Sequence, residues 1–326
     1  MSDWRYALSQ NRATLIAFVS FVAMFAIYAS NHPAGFSANV VQTAANKGVL
    51  LALVAMAQTF VVITAGIDLS VGGVLVLTNC LASWIVVGTA PLAALGVVGV
   101  LLTGLACGAL NGLIVIIGRL QPIVTTIATG AIFYGLALVL RPTPGGDAYG
   151  PLADTLTGRV FSVLPASLIA LGAVVAVVWI PYACSEIGRA AYAVGSSEQA
   201  AYMSGAPVAR AKFVAYVLSG LAASLGGLFL TFVTYSGEAS AATGGSYTLY
   251  SIAAVVLGGV SLYGGSGSAI GAIFGALMFR TIGDLLFVFN LDPLWQPLFQ
   301  GLVLLAAVSL GAARLFQVRN RLELMP

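Results

Sequence analysis

From Ala13 to Ala313 the chain is a series of apolar runs, most near the length of a membrane-crossing helix and separated by short polar stretches. A helix needs about 20 consecutive apolar residues to cross a bilayer. The runs fall at 13–31, 46–65, 71–89, 91–117, 122–140, 161–180, 212–234, 248–263, 267–289 and 295–313. The eighth is short and glycine-rich, so a broken or re-entrant segment is an option there, and eight to ten crossings are expected. Only 7% of the 326 residues are charged, against about 25% in a soluble domain. So few charges cannot cover a globular surface, and the expected fold class is an all-α integral membrane protein. A single transmembrane domain over 1–326 is expected, because no polar segment is long enough to hold another.

The basic residues set an orientation. Arg5 and Arg12, Arg119, the loop 181–211 with Arg189 and Arg210, and the tail with Arg314, Arg319 and Arg321 all fall on one side if ten segments cross. That side is the cytoplasm, with both termini in it. The run after Arg12 is long for a signal peptide and lacks a small-residue cleavage site, so it reads as an uncleaved first span. The net charge of +3 is too mild to suggest nucleic acid. Three cysteines, one histidine and two lysines leave no metal spacing, no disulfide framework and no phosphate-binding G-x-x-x-x-G-K-[ST]. The usual hydrolase and protease motifs are also missing from the sequence.

Three short strings recur in order. Gly66–Gly72 resembles Gly259–Gly265, Gly104–Leu110 resembles Gly271–Leu277, and Leu120-Gln-Pro-Ile resembles Leu291-Asp-Pro-Leu. They suggest an internal duplication with broken helices in corresponding positions, a pattern associated with transport pathways.

Thr64–Gly73, TAGIDLSVGG, places an aspartate in an apolar region. An aspartate at a helix centre costs roughly 2.5–3.5 kcal/mol on insertion scales. Its glycine and hydroxyl neighbours suit a helix break. Asp68 can cap the following helix through the amides of Ser70 and Val71, or it can face a polar pathway. The candidates for the pathway or the helix breaks are Asp68, Ser70, Asn79, Asn111 and Ser261. Gly104, Gly108 and Gly112, four apart, favour close approach of another helix. Thr125, Thr126 and Thr129 are further polar points in an apolar run. Glu238 lies with Tyr235, Ser236, Tyr247 and Tyr250 in an aromatic and hydroxyl cluster that suits sugar binding, although tyrosines at a membrane interface are more often anchors.

The loop 181–211 is the most informative polar stretch. Ser197 can cap a short helix, Glu198 suits its first turn, and Gly205 can close it. Small residues at Ala200 and Ala201 suit docking in another protein's groove. An ordinary connection fits the pattern equally well.

At these motifs the chain resembles the permease subunits of ribose-type sugar ABC importers. The resemblance rests on GIDLSVGG (66–73), GALNGLIV (108–115), AVGSSEQAAYMSGAPVARAKFVAYVLSG (193–220) and SIAAVVLGGVSLYGGSGSAIGAIFGAL (251–277). It implies a fold like that of the vitamin B12 importer permease, with about ten helices. It implies a bacterial inner-membrane homo- or heterodimer, a cytoplasmic ATP-binding subunit and a periplasmic sugar-binding protein. ATP and Mg would be bound by the partner ATPase, and this chain would hold no cofactor and perform no covalent chemistry. The family's coupling helix falls on Glu198, Gln199, Ala200, Ala201, Ser204 and Gly205. Ser196-Ser197, Pro207, Val260 and Ser266 depart from the family's common residues and leave the sugar unspecified. An ion-coupled secondary transporter, or the same importer type carrying a non-sugar solute, are the alternatives.

Overall fold

The computed structural model describes residues 12–306 and 309. Arg5, the basic tail and the last part of the tenth run lie outside these residues. Ten apolar helices are present among the described residues, and seven of them are long and apolar enough to cross a membrane. These seven are α1 (Arg12–Asn31), α2 (Ala38–Ile63), α4 (Ala90–Ile117), α5 (Pro122–Leu140), α7 (Ala166–Cys184), α10 (Val208–Thr234) and α12 (Ala269–Val288). The shorter three are α3 (Val71–Ile85), α11 (Ala241–Leu257) and α13 (Gln296–Ala306). Three polar helices complete the set: α6 (Gly150–Thr157), α8 (Glu186–Ser196) and α9 (Glu198–Met203). A two-residue hairpin, β1 (Arg159–Val160) and β2 (Leu164–Pro165), is the one sheet among the described residues.

Helix α10 lies at the centre, against α2, α3 and α4. The glycine face predicted on α4 is the contact. A Cβ on Gly108 would stand 2.2 Å from the Tyr216 carbonyl, and one on Gly220 would stand 2.1 Å from the Gly104 carbonyl. Only glycine permits backbones this close. Phe60 of α2 stacks on Trp179 and Tyr182 at 5.5 and 5.1 Å between ring centroids, which fixes α7 to the core.

Several boundaries move from their sequence positions. The second run begins at Ala38, not 46, because Ser37 caps it through Val40 N. Gln42 and Asn46 lower its hydropathy, but both donate to the Thr157 carbonyl, at 2.7 and 2.8 Å. The sixth run starts at Ala166; Phe161 and Ser162 have positive φ and belong to the hairpin turn. The third ends at Ile85, before a turn at Gly88 with φ +82. The eighth is an unbroken helix over 241–257, not 248–263, capped by Ser240 through Thr243 N.

Two ends can be distinguished. At one, Ile63–Gly66, the α4–α5 turn, α8, α9 and the turn 258–268 lie together. At the other, Arg141 bonds Ser83, and Gly145 pairs with Gly237. The three repeated strings do not share one register. The first pair of strings occupies two turns at the same end, and these touch: Gly265 N donates to the Ile63 carbonyl at 3.0 Å. The second pair lies on α4 and α12. Gly108 of α4 meets Tyr216 near the start of α10 while Gly96 meets Ile85 at the end of α3. Helix α12 instead starts at the 258–268 turn, so the two helices run in opposite directions.

Candidate functional site

Between α2 and α3 the backbone leaves the helical path over Thr64–Ser70. Ala65 takes a left-handed φ of 62° to make the turn. Asp68 is 2% exposed. Its Oδ1 accepts from Ser70 N at 3.0 Å and Ser70 Oγ at 2.6 Å, and its Oδ2 accepts from Ser219 Oγ of α10 at 2.9 Å. The predicted cap is therefore half right. The Ser70 amide is used, but the second local donor is the Ser70 hydroxyl and not the Val71 amide. Ser70 itself is the N-cap of α3.

Five helices send a side chain to this break. Asn111 of α4 donates to Ser70 Oγ at 2.7 Å. Thr126 Oγ1 of α5 accepts from Leu69 N at 2.9 Å. Thr248 Oγ1 of α11 accepts from Gly72 N at 3.1 Å. Ser219 comes from α10, and Gln58 of α2 faces the Asp68 backbone; with its amide oriented to satisfy both groups, it donates to the carbonyl at 2.8 Å and accepts from the amide at 3.3 Å. Backbone released from a helix within an apolar bundle must find partners inside it. These side chains supply them. Asp68, Ser70 and Asn111 thus form one cluster that braces a broken helix.

Asn79 and Ser261 lie elsewhere. Asn79 is farther along α3, where it donates to Thr231 Oγ1 at 2.8 Å and Ser236 O at 3.1 Å, and accepts from Glu238 N at 2.9 Å. It ties α3 to α10 and the loop beyond. Ser261 holds the 258–268 turn: its carbonyl accepts from Gly264 N and its hydroxyl from Tyr263 N. The tyrosines divide as well. Tyr250 packs on Phe279 of α12, 5.1 Å between ring centroids, and Tyr247 packs edge-on against Tyr250. Tyr235 donates to Asp154, and that bond raises its phenol pKa above the ordinary value. Gln58, Ser219 and Thr248 escaped sequence reasoning; the lone amide in the apolar run 49–63 was the available signal.

The short helix α9 has the predicted ends. Ser197 Oγ accepts from Ala200 N at 3.3 Å. Gly205, at φ +78, closes it, with Gly205 N bonding Tyr202 O and Ala206 N bonding Ala201 O. That pair of bonds is a Schellman closure. Glu198 forms an ion pair with Lys212 at 2.7 Å. Glu198, Gln199, Ala200, Ser204 and Gly205 are exposed, whereas Ala201 is buried and anchors α9 to its own chain. The large exposed side chains are Tyr202 and Met203, 75% and 78% exposed, which sequence reasoning did not single out. Beside α9 is a cavity of about 890 Å³ lined by Arg119, Arg210, Lys212, Glu198 and Tyr202.

Helix α8 links α9 to the turns beneath. Tyr192 donates to the Gly267 carbonyl at 2.7 Å, and burial raises its pKa. A Cβ on Gly195 would stand 1.9 Å from the Ile63 carbonyl and 2.4 Å from Gly265 N.

A bundle of apolar helices around braced breaks, with an exposed short helix on one face, defines a multi-pass membrane protein of the permease class. The chain belongs to the family described as "Branched-chain amino acid transport system / permease component", whose profile matches residues 40–308. It is 38% identical over 264 residues to the ribose import permease protein RbsC of Bacillus subtilis, covering 79% of this chain and 80% of that one. It is 34% identical to the RbsC of Haemophilus influenzae, covering 90% and 91%. It is 32% identical to the D-allose transport system permease protein AlsC of Escherichia coli, covering 90% of each. No solved structure matches the chain.

Proposed function

We propose that this chain is the membrane permease of an ATP-driven importer that brings a monosaccharide into the cytoplasm. Likeness to ribose and allose import permeases over most of their length supports the solute class. The observation that carries the mechanism is the exposed α9, which is joined through Gly195 to the Ile63 and Gly265 turns. In this reading the end with α8 and α9 is cytoplasmic, as are both termini, in a bacterial inner membrane. All ten apolar helices cross, in a fold like that of the vitamin B12 importer permease, as one domain over 1–326. A second permease copy or a homologue completes the pathway. A periplasmic binding protein delivers the sugar at the opposite end. A separate ATPase docks on Tyr202 and Met203, binds ATP and Mg, and moves α9 against the turns. Asp68 then braces the broken helix beside the pathway.

The test is uptake of labelled monosaccharides, neutral and acidic, by sealed vesicles containing the native complex. ATP inside the cytoplasm-equivalent compartment should drive uptake that survives an uncoupler. Uptake that needs an ion gradient and ignores ATP would identify an ion-coupled transporter instead.

A further inference from the structure

The end opposite α9 holds a second polar site, within the apolar helices. A cavity of about 490 Å³ opens between α1, α2, α12 and the start of α13. That is within the usual range of small-molecule sites, about 300–1,000 Å³. Asn39, Thr43 and Lys47 line it from one face of α2, four residues apart. Arg280 and Asp284 line it from α12, and Gln296 from α13. Lys47 Nζ and Asp284 Oδ1 form an ion pair at 3.1 Å. Arg280 takes part in neither ion pair found among the described residues. It lies eleven residues into α12, about 16 Å from the cytoplasmic end by helical rise.

An arginine at that depth is costly unless it faces water or a counter-charge. Asp284 is already engaged by Lys47. Lys47, Arg280 and Asp284 leave the cavity with one positive charge in excess. The rest of the lining has amides and hydroxyls to meet hydroxyl groups. Tyr28 and Phe287 flank His32 at 5.4 and 6.5 Å between ring centroids and offer apolar faces. Charge, amides and aromatic faces in one cavity fit a polyhydroxylated solute with a single negative charge.

We propose that this cavity binds a sugar carboxylate, with Arg280 as the partner of its carboxylate. The inference rests on the permease reading for its biological sense, and it narrows the solute from a monosaccharide to an acidic one. The excess charge, left without an ion-pair partner among the described residues, is what a neutral sugar does not explain.

The test is calorimetry on the full-length chain in phosphatidylcholine nanodiscs, with ribonate, ribose and inorganic phosphate as probes. Ribonate should bind at least about tenfold more tightly than ribose, the equivalent of one charge-assisted hydrogen bond. Arg280→Gln should abolish that preference and Arg280→Lys should keep part of it. If Arg280→Gln fails to fold, the ribonate-to-ribose ratio of the unaltered chain still decides. Equal binding of the two, no ribonate binding, or ribonate binding indifferent to Arg280→Gln would each overturn the proposal. Phosphate competing as well as ribonate would leave a bare anion site. Displacement of ribonate by added phosphatidylglycerol would make it a lipid headgroup site, and both results contradict a sugar acid. No ATPase is needed, so failure here leaves the importer reading standing. Failure of the ATP-driven uptake test would leave this cavity untouched.

Discussion

Gly195 of α8 lies directly on the carbonyl of Ile63, the last residue of α2; a Cβ there would stand 1.9 Å from that oxygen. The same Cβ would meet Gly265 N at 2.4 Å, and Gly265 N already donates to the Ile63 carbonyl. Three segments far apart in sequence therefore meet at one point, two residues from the cap of α9. In the proposed function, motion of α9 would reach the break that holds Asp68 through this contact. Gly195→Ala should force these backbones apart at a cost of about 1–3 kcal/mol, as overpacking does. Uptake should fall more steeply than thermal stability, with the ATPase still bound. Uptake at the unaltered rate would remove Gly195 from the route.

Ser219→Ala deletes the donor to Asp68 Oδ2 and leaves a buried carboxylate oxygen unpaired. Losing one partner of a buried hydrogen bond costs about 1–3 kcal/mol. Asp68→Ala should cost more, because it strands the Ser70 amide and both serine hydroxyls. The midpoint of thermal unfolding in detergent should fall in the order unaltered chain, Ser219→Ala, Asp68→Ala. An Asp68→Ala chain as stable as the unaltered one would show that the five-helix brace carries no stability.

Gly108→Leu should separate α4 from α10, since the Tyr216 carbonyl occupies the space a side chain would need. Loss of folded protein from the membrane fraction is the expected readout. Gly135→Leu is the control, because nothing lies within 4 Å of its Cβ position. It should express normally, and equal expression of both variants would contradict the α4–α10 contact.

Tyr202→Ala with Met203→Ala changes only exposed side chains of α9. The unfolding midpoint should stay within the range of ordinary surface substitutions, about 0.5 kcal/mol. ATPase binding should be lost, as truncating buried interface anchors typically costs about 2 kcal/mol or more. Full ATPase binding by the double variant would move the docking surface away from α9.

Local signals were legible in the sequence. Ser197 and Gly205 fix both ends of α9 through bonds to near neighbours, so the short helix could be read directly. The glycines four apart on α4 predicted a close helix contact. What could not be read came from distance along the chain. Asp68 meets Ser219 across 151 residues and Gly72 meets Thr248 across 176, and nothing local to 64–73 names these partners. Helix α11 was misplaced because Thr243, Gly244, Gly245 and Ser246 depress its hydropathy, although Gly244 is there to pack against Gly72. Ala201 looked free for docking, but its burial depends on how α9 folds back on its own chain.

The most direct test of the account is a mild-detergent pull-down of the tagged chain from native membranes, with the Tyr202→Ala/Met203→Ala variant in parallel. An ATPase chain should co-purify with the unaltered protein and not with the variant. Recovery of the unaltered chain with no ATPase, together with solute uptake that proceeds without ATP, would contradict it.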